Sequence, residues 1–95
     1  LPLAGIRIAD FSHVMAGPYA SHLLGLMGAE VIKIEPKSGD GFRHYGAGKD
    51  HGGRSAAFIA ANTNKRSIAL DLKDPADVAI ARGIVERSDV LLENF

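Results

Sequence analysis

Gly5-Ile6-Arg7-Ile8-Ala9-Asp10-Phe11, followed by Ser12-His13-Val14-Met15-Ala16-Gly17-Pro18, an apolar run to Gly28, and Glu30-Val31-Ile32-Lys33-Ile34-Glu35-Pro36, carries the signal for the topology. Residues 5–11 read as a short strand with Ile6 and Ile8 on one side. The chain then breaks into a turn-forming segment. Pro18 suits the first position of a helix, where its missing N–H has no partner to lose. A helix over 18–27 places Tyr19, Leu23, Leu26 and Met27 on one side, and Gly28 stops it because glycine accepts a left-handed backbone. Residues 30–35 form a second strand that Pro36 ends. Strand, helix and strand in so short a span define a βαβ unit with parallel strands and a right-handed crossover.

Past this unit, the Gly-rich, polar residues 36–54 read as loop, and 55–62 as a short helix around Phe58 and Ile59. Residues 67–72 are a third strand. Asp74 and Pro75 open a second clear helix as N-cap and first position, with Val78, Ala81, Ile84 and Val85 as its apolar stripe. Residues 89–93 are a fourth strand centred on Val90, Leu91 and Leu92. The order β-α-β-loop-β-α-β specifies an α/β fold with an open parallel sheet of the doubly wound kind. Ligands of such sheets lie outside the carboxyl ends of the strands, so chemistry is expected in 11–17, 36–43, 72–74 and 94–95.

Composition narrows the function classes. In these 95 residues, Lys plus Arg number 11 and Asp plus Glu number 11, so no chain-wide basic field points to nucleic acid or an anionic membrane. Apolar residues make up 46%, in keeping with a globular core. The lack of cysteine excludes disulfides, thiolate zinc sites and a cysteine nucleophile, and is compatible with a cytoplasmic setting. No run approaches the ~20 apolar residues of a membrane helix. Leu1 in place of Met reads as a trimmed start.

Several motifs invite a reading. The glycine loop 46–53 lacks the P-loop pattern: Arg43 stands where the first glycine belongs, and Asp50 follows Lys49 in place of Ser or Thr. The first strand is followed by Ser-His-Val-Met and not by a dinucleotide Gly-x-Gly. His13, His22, His44 and His51 show no metal-ligand spacing, so no metal is expected. His13 alone keeps interest, because a loop between strand end and helix start hosts ligands. No serine sits in a Gly-x-Ser-x-Gly elbow. Asp10 and Asp71 read as loop-fixing acceptors. Lys65, Arg66 and Lys73 are either a solvated surface or partners for phosphate. Phe95 is either core or a face for an adenine ring, and Asn94 either meets a ligand edge or caps the next element.

Taken in order, these stretches resemble one family. They are Pro2 to Asp10, Ser12 to Pro18, Leu26 to Pro36, Asn62-Thr63-Asn64-Lys65-Arg66-Ser67-Ile68, Leu70-Asp71-Leu72-Lys73, and Ser88-Asp89-Val90-Leu91-Leu92-Glu93-Asn94-Phe95. The succession is similar to the family III CoA-transferases, also called the CaiB/BaiF family, and it covers nearly the whole chain.

The resemblance implies that residues 1–95 are the amino-terminal part of a Rossmann-like, CoA-binding large domain in a longer chain that forms an interlocked homodimer. It implies transfer of coenzyme A between an acyl-CoA and a free carboxylic acid through an aspartyl anhydride and an enzyme thioester. The nucleophilic aspartate lies beyond Phe95 in the family, so no aspartate here is given that role and the piece alone is expected to be inactive. His13, Val14, Met15 and Ala16 match the loop touching CoA near its thioester. Leu70, Leu72 and Lys73 match the adenosine-lining segment, and Asn94 and Phe95 the pair beside the adenine. Met15 replaces a glutamine of the formyl-CoA-using member, and Pro36 replaces its phosphate-side arginine, a contact that falls here to Lys37 or Arg43. Two alternatives remain: an α-methylacyl-CoA racemase of the same fold, and a non-catalytic nucleotide-binding module.

Overall fold

The computed structural model describes residues 1–44 and 55–95, so the glycine loop 46–53 and His51 lie outside the described residues. Four short strands, β1 (Arg7–Asp10), β2 (Glu30–Glu35), β3 (Arg66–Ala69) and β4 (Val90–Leu92), form one sheet in the order β3-β2-β1-β4. Every pairing is parallel, with Ile8 opposite both Val31 and Val90, and Ile34 opposite Ile68. The helices are α1 (Ala16–Leu26), α2 (Ala56–Asn62) and α3 (Pro75–Glu86), and a 3₁₀ turn spans Gly41–His44. The expected α/β open parallel sheet is the observed one.

Alternation along the strands assigns the two faces. Ala9, Ile34 and Leu70 pack with Ala81 of α3, joined by Phe11, Ile68, Ile84 and Val85. On the other face Ile8, Ala29 and Val31 pack with Leu24 of α1 and with Leu92. A third cluster, Phe42, Phe58 and Ala61, joins the 3₁₀ turn to α2.

Boundaries differ from the sequence reading for local reasons. Helix α1 starts at Ala16, so Pro18 is its third residue. The first four N–H groups of a helix lack intrahelical acceptors, so proline is tolerated throughout that turn. Strand β3 ends at Ala69, which puts Leu70 to Lys73 beyond the sheet. The Asp71 carboxylate accepts from Lys73 N–H (3.0 Å), and this local bond turns the chain. The Asp74 cap on Ala76 N–H, with Pro75 next, starts α3 as read. Gly28 has φ +107°, the left-handed stop expected of it.

The apolar side read for α1 is the one that faces outward. Tyr19 and Leu26 are 54% and 59% exposed, whereas Gly17, Pro18 and Ser21 are buried. Small residues let the helix axis approach the sheet and the loop beneath it. A Cβ on Gly17 would overlap Ser12 Cβ and lie 2.6 Å from Ser12 Oγ. Gly17→Ala is therefore expected to destabilise the intact protein by about 1–3 kcal/mol, as overpacking does, read as a lower denaturant midpoint with unchanged slope.

Candidate functional site

The order β3-β2-β1-β4 reverses direction at β1, and the crevice beside such a reversal is where open sheets hold ligands. A cleft of about 600 Å³ lies there. Its floor is apolar, from Phe11, Ile34, Pro36, Leu70 and Leu72, and its rim carries His13, Lys37, Ser38, Asp71, Lys73 and Phe95. The His13 and Phe95 rings lie 6.2 Å apart at a tilt of 32°. Loops leaving all four strands meet on this one cleft.

The loop after β1 is shaped by side chains from four separate places. Asp10 accepts from Ser12 N–H (2.9 Å) and from the Ser12 hydroxyl. Lys33 donates to Ser12 C=O (3.0 Å). Asn94 accepts from His13 N–H (3.0 Å) and donates to His13 C=O (2.9 Å). Both Asp40 oxygens accept from Val14 N–H (3.1 and 3.2 Å). Val14 sits at φ +66°, a rare conformation for a β-branched residue. With its backbone so occupied, the loop presents the exposed His13 side chain to the cleft.

Beneath the loop lies a buried ionic layer. Lys33 and Asp40 pair at 2.9 Å with 1% of each side chain exposed. Lys65 reaches Asp10 at 3.1 Å and also donates to Pro18 C=O and Asn62 Oδ1. Burial pulls the Lys65 ammonium below its usual value, with the attraction of Asp10 opposing. Arg43 binds Glu35 at 2.6 Å and lies 4.1 Å over the Phe58 ring. Burial pushes the Glu35 carboxyl up, but bonds from Arg43, Ser67 and Asp40 N–H outweigh it and bring it down to about 2. Burial also opposes ionisation of Asp40, and Phe42 N–H, Lys33 and Val14 N–H together hold it below the usual carboxylate range.

Of the residues singled out in the sequence, His13, Leu70, Leu72, Lys73 and Phe95 line the cleft. Val14, Met15 and Ala16 are exposed and do not line it, and Asn94 spends both ends of its amide on His13. Lys65, Arg66 and Lys73 do not cluster. Lys65 is buried on Asp10, Arg66 lies near Glu30 (3.7 Å) at the other end of the sheet, and Lys73 alone reaches the cleft. Phe95 is 80% exposed, so it is not a core residue of these 95. Arg43 is committed to Glu35, which leaves Lys37 on the rim where the sequence offered either. Lys33 and Asp40 do not stand out in the sequence as site residues. Strand alternation places Lys33 on the face of Val31, a signal that it points into the fold and needs a counter-ion.

An open parallel sheet, a rim cleft with an apolar floor at its reversal, and lysines at the cleft mouth make an α/β site with the chemistry to suit an anionic ligand that has an apolar body. Residues 3–95 match the family described as CoA-transferase family III, and the chain belongs to that family. It is 42% identical over 96 residues to the alpha subunit of succinyl-CoA–L-malate CoA-transferase from Chloroflexus aurantiacus, covering all of this chain and 22% of that protein. It is 44% identical over 95 residues to succinyl-CoA:glutarate CoA-transferase of Mus musculus, covering 99% of this chain and again 22% of that one. A crystal structure of a CaiB/BaiF family protein from Brucella suis superposes with a TM-score of 0.93 at 36% identity, covering 99% of this chain and 26% of the other. The chain thus spans about a fifth to a quarter of the length of these relatives.

The charge layer gives the stability a pH dependence of definite sign. Glu35 titrates near 2 when folded against 4.5 ordinarily. Between those values the unfolded chain takes up a proton that the folded chain refuses, so acidification favours unfolding. Stability of the intact protein is expected to fall as the pH drops from about 5 to about 2. Glu35→Gln is expected to shrink that fall and to lower stability at neutral pH, both read from denaturant midpoints across the range.

Proposed function

We propose that the full protein transfers coenzyme A between an acyl-CoA and a free carboxylic acid, and that this cleft holds the coenzyme. The observation that carries the reading is the convergence of His13, Lys73 and Phe95, from three distant segments, on one cleft. In this reading Leu70, Leu72 and Phe95 take the adenosine end. Lys37 and Lys73 meet phosphate charge at the rim, where ammonium groups act as mobile point charges. The loop His13 to Ala16, which enters the cleft through His13, is taken as the neighbour of the thioester end.

Chemically, an aspartate from the chain beyond Phe95 attacks the acyl-CoA carbonyl, giving a mixed anhydride and CoA thiolate. The thiolate attacks the aspartyl carbonyl and releases the first acid, leaving an enzyme thioester. A second carboxylate attacks that thioester and expels CoA thiolate, giving a new anhydride; the thiolate then attacks the anhydride's acyl carbonyl, which forms the product acyl-CoA and frees the aspartate. The described residues bind and orient the coenzyme, and residues 1–95 form part of its large domain. The working protein is an interlocked homodimer in a cytoplasmic setting.

The named substrates of the relatives, succinyl-CoA with L-malate or glutarate, are the first to test. Full-length protein incubated with acyl-CoA is expected to gain the mass of CoA less one water on one aspartate and to pass the CoA to a free acid. Epimerisation of a 2-methylacyl-CoA with no CoA adduct would establish the racemase reading instead. Phe95→Ala in the full protein is expected to weaken CoA binding by about 1–3 kcal/mol, read by calorimetry. Unchanged affinity would remove Phe95 from the site.

A further inference from the structure

We infer that Asp40 is a positioning residue of the reaction, which holds Val14 in a left-handed backbone conformation and so fixes the His13 loop over the cleft. The inference rests on the CoA-transferase reading and adds to it a residue outside the chemistry.

Three observations converge. Val14 is strained at φ +66°, and a conformation of that kind persists only where its surroundings over-determine it. The determining contact is at the Val14 N–H, held by both oxygens of Asp40 at 3.1 and 3.2 Å. Asp40 cannot swing away, because it is 1% exposed, is paired with Lys33 at 2.9 Å and accepts from Phe42 N–H at 2.9 Å. Lys33 grips the same loop two residues earlier, through Ser12 C=O at 3.0 Å. One buried ion pair therefore holds the loop on both sides of His13, the residue that enters the cleft. Asp40 also lines the cleft from below.

A residue that merely stabilises the core and one that holds Val14 differ in their response to glycine, which adopts positive φ without strain. The test is a double-mutant cycle in the full-length enzyme. Asp40→Asn is expected to lower kcat/KM by at least about tenfold, and in a Val14→Gly background the same change is expected to cost under about threefold. Equal losses in both backgrounds would overturn the inference. If Asp40→Asn does not fold, Val14→Pro gives an independent reading, since proline can neither take positive φ nor donate an N–H. It removes both the positive φ and the N–H that Asp40 holds, so it is expected to lose at least about tenfold in kcat/KM together with a lowered unfolding midpoint. Retained kcat/KM in that variant would overturn the inference as well. A CoA-independent measurement separates failure of this proposal from failure of the transferase reading. Amide exchange in residues 12–15 is expected to quicken by about tenfold or more in Asp40→Asn relative to wild type. Unchanged exchange overturns the role of Asp40 whatever the enzyme's substrate.

Discussion

The buried pair of Lys33 and Asp40 underpins the site. Removing two charges from water costs several kcal/mol each, and mutual attraction alone seldom recovers it. Here the remaining valences are filled by backbone: Ser12 C=O on the lysine, Val14 and Phe42 N–H on the aspartate. The pair and the loop thus support one another, beside the Asp10 and Asn94 bonds that hold the same loop. That mutual support makes the upper edge of the sheet one cooperative unit.

Strand alternation explains why the charges gather where they do. On the face that meets α1, β1 runs from Ile8 to Asp10, and β2 from Val31 to Lys33 to Glu35. The same face therefore begins apolar and ends ionic. Ile8 and Val31 bury against Leu24, while Asp10, Lys33 and Glu35 find Lys65, Asp40 and Arg43. A change of two residues along a strand moves from core to electrostatic platform, and the platform lies beneath the cleft's loops. The other face keeps its apolar character through Ala9, Phe11, Ile34 and Leu70, which supplies the floor.

Much of this is legible in the residues. The βαβ unit, the Gly28 stop and the Asp74-Pro75 helix start are local signals, and local geometry honours them. Asp10 is the loop-fixing acceptor that its place at a strand end suggests. Pairing at a distance is the part that sequence does not display. Lys65 reads as a solvated cation or a phosphate partner beside Arg66, yet its side chain lies buried on Asp10, 55 positions earlier, which ends β1, two strands across the sheet from β3. Lys33 and Asp40 look like ordinary polar punctuation until the fold closes them together. Which side of α1 meets the fold is likewise set at a distance: close approach to the loop selects Gly17, Pro18 and Ser21, and the larger Tyr19, Leu23, Leu26 and Met27 share the side that faces outward.

Asn94 has a mechanical meaning. Its amide staples the exit of β4 to the exit of β1 through two hydrogen bonds on a single residue. Those two exits flank the reversal point of the sheet, so one jaw of the cleft is welded shut against the scaffold. The facing jaw, from Pro36 to Ser38 and Asp71 to Lys73, has exposed side chains; Gly39 N–H to Pro36 C=O closes its first turn, and Asp71 N–H to the Asp77 carboxylate ties its second to α3. The first jaw is thus braced strand to strand and the second turn to helix, so the two walls of the cleft are anchored to different layers of the fold.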